Sequence, residues 1–146
     1  MRGHEIIPHT ADTGLRAWAS DLCGLFEEAA AALAEIAADV SQVPLSADQQ
    51  DAVPIILEAE DLAGLAFAWL NELVSLADVR RAALAGTSVQ RVDSAPGRCG
   101  LRALARYIER DTPGVRPRHD VKSATYHGLV VEGEAGGWSL TAYLDV

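Results

Sequence analysis

Two stretches of this chain, 20–40 and 61–77, space their apolar residues for one helix face, while the other apolar runs are short and bounded by turn residues. In the first stretch Leu22, Leu25, Phe26, Ala29, Leu33, Ile36, Ala37 and Val40 recur every three or four residues and share a face. Glu27, Glu28, Glu35 and Asp39 fall largely outside it. Ser20 stands where an N-cap is expected, and Asp21 adds a favourable charge to the first turn. The second stretch opens at Asp61, placed to cap it, and runs to about Ala77 with Leu62, Leu65, Trp69, Leu73 and Leu76 as its stripe. The runs 4–7, 13–19, 52–59, 86–93, 98–107, 124–132 and 138–144 read as strands. Glycines at Gly97 and Gly136-Gly137 suit antiparallel hairpins. Clustered strands with only two long helices predict an α+β fold, a mostly antiparallel sheet covered by two main helices, rather than repeated βαβ units. Apart from alanine enrichment, no internal repeat stands out.

At 146 residues the expectation is a single domain spanning 1–146, able to bury roughly two thirds of its unfolded surface without disulfides or metal. The formal net charge of −9 opposes strong direct nucleic-acid binding, which needs a basic face. Cys23 and Cys99 lack zinc spacing and read as buried free thiols in a reducing compartment. The N-terminus has no apolar signal core, and the uncharged stretch Leu62–Leu70 falls well short of the ~20 residues that cross a bilayer. A cytoplasmic protein with no membrane partner is the expectation.

Three places carry residues suited to chemistry. His9-Thr10-Ala11-Asp12 lies between two predicted strands; on spacing alone it reads first as a structural turn. Asp145 and Val146 place a side-chain carboxylate beside an α-carboxylate, a pair that could bind a hard cation if a third carboxylate approached. A solvated tail is the plainer reading. The third place is Asp120-Val121-Lys122-Ser123-Ala124-Thr125-Tyr126-His127. Lys122 is the only lysine among 12 basic residues, in a chain that otherwise uses arginine, and the two side chains are not equivalent donors. An ion pair with Asp120 is the plainer reading there. The Pro/Gly segment 109–120, with Arg110, Arg116 and Arg118, reads as a solvated loop or, more sharply, a docking loop. No nucleophile elbow, phosphate loop or kinase signature is present.

The same three places carry a family resemblance. His9-Thr10-Ala11-Asp12-Thr13-Gly14-Leu15-Arg16-Ala17-Trp18 resembles the opening motif of the archeases. Trp69-Leu70-Asn71-Glu72-Leu73 resembles their W-L-N-E-L helix, and Val121-Lys122-Ser123-Ala124-Thr125-Tyr126-His127 their V-K-A-x-T-Y-H segment. Leu144-Asp145-Val146 is similar to their D-I or D-V ending. These matches fall in family order along nearly the whole chain. The resemblance implies an α+β fold with an inserted helix-strand module. It also implies a non-enzymatic activator of the RtcB-type RNA ligase of tRNA splicing and RNA repair, promoting GTP- and metal-dependent transfer of GMP onto the ligase's histidine and supporting turnover. It further implies a divalent ion (Ca²⁺, Mg²⁺ or Mn²⁺) on Asp12, Asp145 and the terminal Val146, a functional Lys122, and His9 and His127 as neighbours. Oxygen donors of this kind suit hard cations. An acidic surface would complement a ligase's basic channel. The chain departs from the family over 103–120, where Tyr107-Ile108-Glu109-Arg110 replaces a Gly-Glu turn, and no role is carried over there. Rival readings are a chaperone-like modulator of a tRNA-modifying methyltransferase and a metal-dependent phosphohydrolase using His9 and Asp12. The four histidines leave little for a binuclear site.

Overall fold

The structure is a computed structural model and describes residues 1–8, 12–44 and 51–146. Its elements run β1 (Gly3–Pro8), β2 (Asp12–Ala19), α1 (Leu22–Ala37), β3 (Ala38–Asp39), β4 (Asp51–Ala59), α2 (Leu62–Arg80), β5 (Ala82–Ala95), β6 (Arg98–Glu109), β7 (Arg116–Pro117), β8 (Ser123–Glu134) and β9 (Gly137–Asp145). The fold is α+β, and every strand pairing is antiparallel. The long strands divide into two sheets, and the short β3 and β7 pair as a separate two-stranded one. The ends of the chain build one, in the order β1-β2-β9-β8, and the middle builds the other, in the order β4-β6-β5. Residues 51–109, carrying β4, α2, β5 and β6, are thus a module inserted between α1 and β8. Both helices pack against both sheets.

Each helix starts from an aspartate. Asp21 Oδ1 accepts the Gly24 N–H at 2.7 Å, and Asp61 Oδ1 accepts the Gly64 N–H at 2.7 Å. Asp21, not Ser20, is the N-cap of α1, because the capping oxygen must reach an amide three residues on. A Cβ on Gly24 would lie 2.9 Å from that Oδ1 and 3.1 Å from Ala19 Cβ, and Gly64 is crowded in the same way by Asp61 and Ala59. The sequence Asp-Leu-x-Gly-Leu therefore occurs twice, each time turning a strand into a helix. This short repeat escapes a search for longer periods.

The first helix ends earlier than its stripe implies. Ala38 is extended and starts β3, which pairs with β7, so Val40 lies outside the helix. The Ala37 carbonyl accepts the Arg118 and His119 N–H groups at 2.9 and 3.3 Å. The Arg118 guanidinium donates to the Glu35 carbonyl at 3.0 Å and lies 3.6 Å from Asp39. Arg110 reaches the Ala77 carbonyl at 3.5 Å. Segment 109–120 is mostly exposed, yet two of its arginines sit at helix C-termini, where cations are favoured. The second helix runs to Arg80, three residues past the expected end, and closes on Arg81 in the left-handed region (φ 51°).

Leu25, Phe26, Leu33, Leu65, Trp69, Leu73, Leu101, Leu140 and Leu144 belong to one buried cluster. Trp69, fully buried, donates Nε1–H to the Phe26 carbonyl at 2.9 Å and so ties α2 to α1. Tyr107 donates its hydroxyl to the Leu73 carbonyl at 2.9 Å, and burial pushes its phenol pKa up. Length and composition alone would let α2 cross a bilayer, but its Leu65, Trp69, Leu70 and Leu73 are buried in this core. Cys99 is buried and Cys23 half-buried rather than buried, and both are free thiols. Glu27 Oε2 accepts the Val89 N–H at 2.8 Å, occupying part of the free edge of β5.

On the other sheet, β1 is fastened to α1 by charge. Arg2 contacts Glu27 at 3.0 Å and Glu28 at 2.6 Å, and His4 contacts Glu28 at 2.8 Å and Glu35 at 2.9 Å. Burial works against a charged His4, but the two carboxylates outweigh it and the imidazole pKa is raised. Burial likewise opposes charge on Glu28, yet hydrogen bonds from His4 and Arg2 hold its pKa below the ordinary value.

Candidate functional site

The register of the first sheet brings distant residues together at one end. Asp12 of β2 stands directly opposite Asp145 of β9, which stands directly opposite Ser123 of β8. Leu15, Ala17, Leu144, Ala142 and Ala124 are buried. Strand alternation therefore turns the Asp12–Asp145–Ser123 row to the opposite face, away from the core. Asp12 is half-buried and Asp145 exposed. Side chains directly opposite in an antiparallel pair have Cβ atoms ~4.5–5.5 Å apart, and like charges there are destabilising. Two carboxylates in that relation are a donor set that a hard cation would satisfy. Among the described residues no third Asp, Glu, His or Cys completes a metal cluster. Val146 follows Asp145 and is half-buried against the core. His9 lies outside the described residues.

Lys122 reaches the same corner through its backbone. Its N–H donates to the Asp145 carbonyl at 2.8 Å, just before β8 begins. Its side chain is exposed, and among the described residues it forms no ion pair, with Asp120 or any other carboxylate. His127 is exposed in a stretch of β8 where pairing with β9 breaks register between Thr125 and Val130, and its N–H donates to Thr125 Oγ1 at 3.2 Å. Among the described residues, no contact joins its ring to Asp12 or Asp145. Tyr126 leans the other way, with its ring 4.9 Å from that of Phe67 on α2.

Four residues support this corner that sequence spacing did not single out. Tyr143 lies one row in from Asp145, and its ring covers two glycines. A Cβ on Gly14 would come within 2.9 Å of it, and one on Gly128 (φ 75°) within 3.1 Å. The fourth is Asn71 of α2, whose carboxamide bonds the Ala124 backbone at 2.9 and 3.2 Å. Such a contact spans 53 residues, so no local pattern reveals it. A cavity of about 390 Å³ elsewhere, walled by Leu33, Ala37, Leu73, Ala77, Leu84 and Val121 among others, includes none of Asp12, Lys122 and Asp145.

The comparisons with known proteins bear on the family and the fold. The model of the Archease protein family matches residues 4–146. The protein archease of Methanosarcina mazei is 28% identical over 144 residues, covering 98% of this chain and 95% of its own. That of Methanopyrus kandleri is 32% identical over 143 residues, covering 97% and 98%. The solution structure of Methanobacterium thermoautotrophicum protein 1598 is similar with a TM-score of 0.77 and 29% identity over 99% of both chains. The crystal structure of an archease described as a possible chaperone, from Thermotoga maritima, shares the fold with a TM-score of 0.57 at 18% identity, covering 96% of this chain and 94% of its own. With the family model spanning nearly its whole length, the chain belongs to the Archease protein family.

Proposed function

We propose that this chain is a cytoplasmic accessory protein that activates an RtcB-type RNA ligase, presenting the Asp12–Lys122–Asp145 corner to its partner. The observation that carries the reading is the meeting of three separate motifs at one end of one sheet: Asp12 opposite Asp145, with the Lys122 N–H on the Asp145 carbonyl. None of these side chains is built into the core, so their spacing serves something outside it. Asp12 and Asp145 would hold a divalent ion (Ca²⁺, Mg²⁺ or Mn²⁺), with the Val146 carboxylate as a further donor where the chain ends there. Bound, such an ion supplies positive charge at an anionic corner and a means of bridging to phosphate or carboxylate oxygens. The protein's own part is to hold the two carboxylates on one face and to carry Lys122, a compact ammonium suited to phosphate, on backbone hydrogen-bonded to that of Asp145.

Membership of the Archease protein family supports activation rather than ligation as the role. The test is to mix the protein with its cognate ligase, GTP and Mn²⁺ and follow attachment of GMP to the ligase. Acceleration by the wild type, lost in Asp12→Ala and Asp145→Ala with the fold intact, is the expected result. Undiminished calorimetric binding of Ca²⁺ and Mn²⁺ in both variants would remove the metal site. Unaccelerated GMP attachment, with a methyltransferase partner stabilised instead, would replace the reading by the modulator one. Phosphate-ester hydrolysis by the protein alone would favour the hydrolase.

A further inference from the structure

Among the described residues strand β8 lies at the edge of its sheet, so one side of its backbone faces β9 and the other has no strand beside it. At Ala124 a single side chain takes the place of that missing strand. Asn71 Oδ1 accepts the Ala124 N–H at 2.9 Å, and Asn71 Nδ2 donates to the Ala124 carbonyl at 3.2 Å. The same Nδ2 donates to the Phe67 carbonyl at 3.1 Å, one turn back on α2, which fixes the plane of the carboxamide. A carboxamide carries a planar acceptor and two donors, the same complement a neighbouring strand offers to one residue.

The location gives the clamp its consequence. Two residues earlier, the Lys122 N–H is held by the Asp145 carbonyl at 2.8 Å. Just beyond Ala124, pairing with β9 breaks register from Thr125 to Val130, and Gly128 there adopts φ 75°. Segment 122–124 is thus gripped by β9 on one side and α2 on the other, and is followed by a stretch with little pairing of its own. Edge strands with weak pairing slip or fray unless something fixes them.

We infer that Asn71 is a positioning residue for the candidate site: its carboxamide holds the start of β8 so that Lys122 stays in place beside Asp12 and Asp145. The functional half of this inference rests on the activator reading above. Two variants test it: Asn71→Ala, which removes the clamp, and Asn71→Asp, which keeps the size and the acceptor but loses the donor to the Ala124 carbonyl. Tyr107→Phe is the matched control, because it deletes one buried hydrogen bond to the same helix, at the Leu73 carbonyl, on the other sheet. Amide hydrogen exchange by NMR should show the Ala124 and Lys122 amides exchanging at least ~tenfold faster in both Asn71 variants, with Leu15 and Ala142 unchanged. GMP attachment to the ligase should slow at least ~fivefold with either variant and stay within ~twofold with Tyr107→Phe at a similar loss in Tm. Unchanged protection of Ala124, or wild-type activation by both Asn71 variants, would overturn the inference, as would an equal loss with Tyr107→Phe. If the wild type itself accelerates nothing, the activator reading is what fails, and the exchange of the Ala124 and Lys122 amides alone decides whether Asn71 is the clamp.

Discussion

Replacing Asp145 by asparagine should change stability in opposite directions with and without a divalent ion. Without metal, Asp145 faces Asp12 across β2 and β9, carboxylate against carboxylate. Exposure of Asp145 keeps the medium close to water. For charges ~6 Å apart Coulomb's law then gives ~0.7 kcal/mol of repulsion, reduced to ~0.4 kcal/mol by salt. That lies within the ~0.2–1 kcal/mol range of cross-strand pairs. Unfolding entropy for a chain of 146 residues is about 0.3 kcal/mol/K near the transition, so relief of the repulsion raises Tm by ~1 °C. Metal reverses the order. At a free concentration ~100-fold above Kd, a ligand of the folded state adds ~2.7 kcal/mol, or ~9 °C, to the wild type. A variant with one carboxylate fewer gains less, by ~1.4 kcal/mol for each tenfold loss in affinity. Differential scanning calorimetry in EDTA and in excess Mn²⁺ should therefore show the two proteins exchanging places, with the EDTA difference shrinking in 1 M NaCl. A variant less stable than the wild type in EDTA, or one with the same metal-induced rise, would refute the argument.

Leu73, 1% exposed and packed beneath Trp69, should cost ~2–5 kcal/mol on Leu73→Ala in denaturant melts, and a loss below ~1 kcal/mol would show this helix face to be accessible. The raised pKa of His4 means that its stabilising contribution is full below the unfolded imidazole value of about 6.5 and is lost as pH rises through the higher folded value. Tm should therefore fall as pH rises above about 6.5 in a way that His4→Gln abolishes, and an unchanged slope in that variant would assign the titration elsewhere. Lys122→Arg should melt within a few degrees of the wild type, because the side chain is exposed and unpaired among the described residues. The same variant should slow GMP attachment at least ~tenfold, equivalent to ~1.4 kcal/mol in the barrier, and normal activation with saturating metal would retire the role given to Lys122.

Apolar periodicity was sufficient to place both helices and the seven long strands, because a chain must bury a face and its spacing records which. Boundaries followed local chemistry less faithfully. Asp21 displaced Ser20 as the cap by one position, and Val40 kept helical spacing while the backbone had already turned into β3 to pair with β7. The two-residue strands β3 and β7 have no periodicity to detect, since they exist only where segment 109–120 returns to the end of α1.

What the sequence by itself determined was the residue types of the candidate site: an aspartate after the first strand, a lone lysine before the eighth, and an aspartate at the end of the ninth. Composition and order along the chain carry that information, because the donor atoms are properties of single residues. That Asp12 and Asp145 stand opposite one another, on the face away from the core, depended on register, and a slip of one residue would send both inward. The role of Asn71 depended on more still. A polar residue beside the apolar stripe of a helix reads as solvated until another element, 53 residues away, presents it with a free strand edge. Only the tertiary structure could make that assignment, because a hydrogen bond needs both partners in place and the sequence lists them far apart.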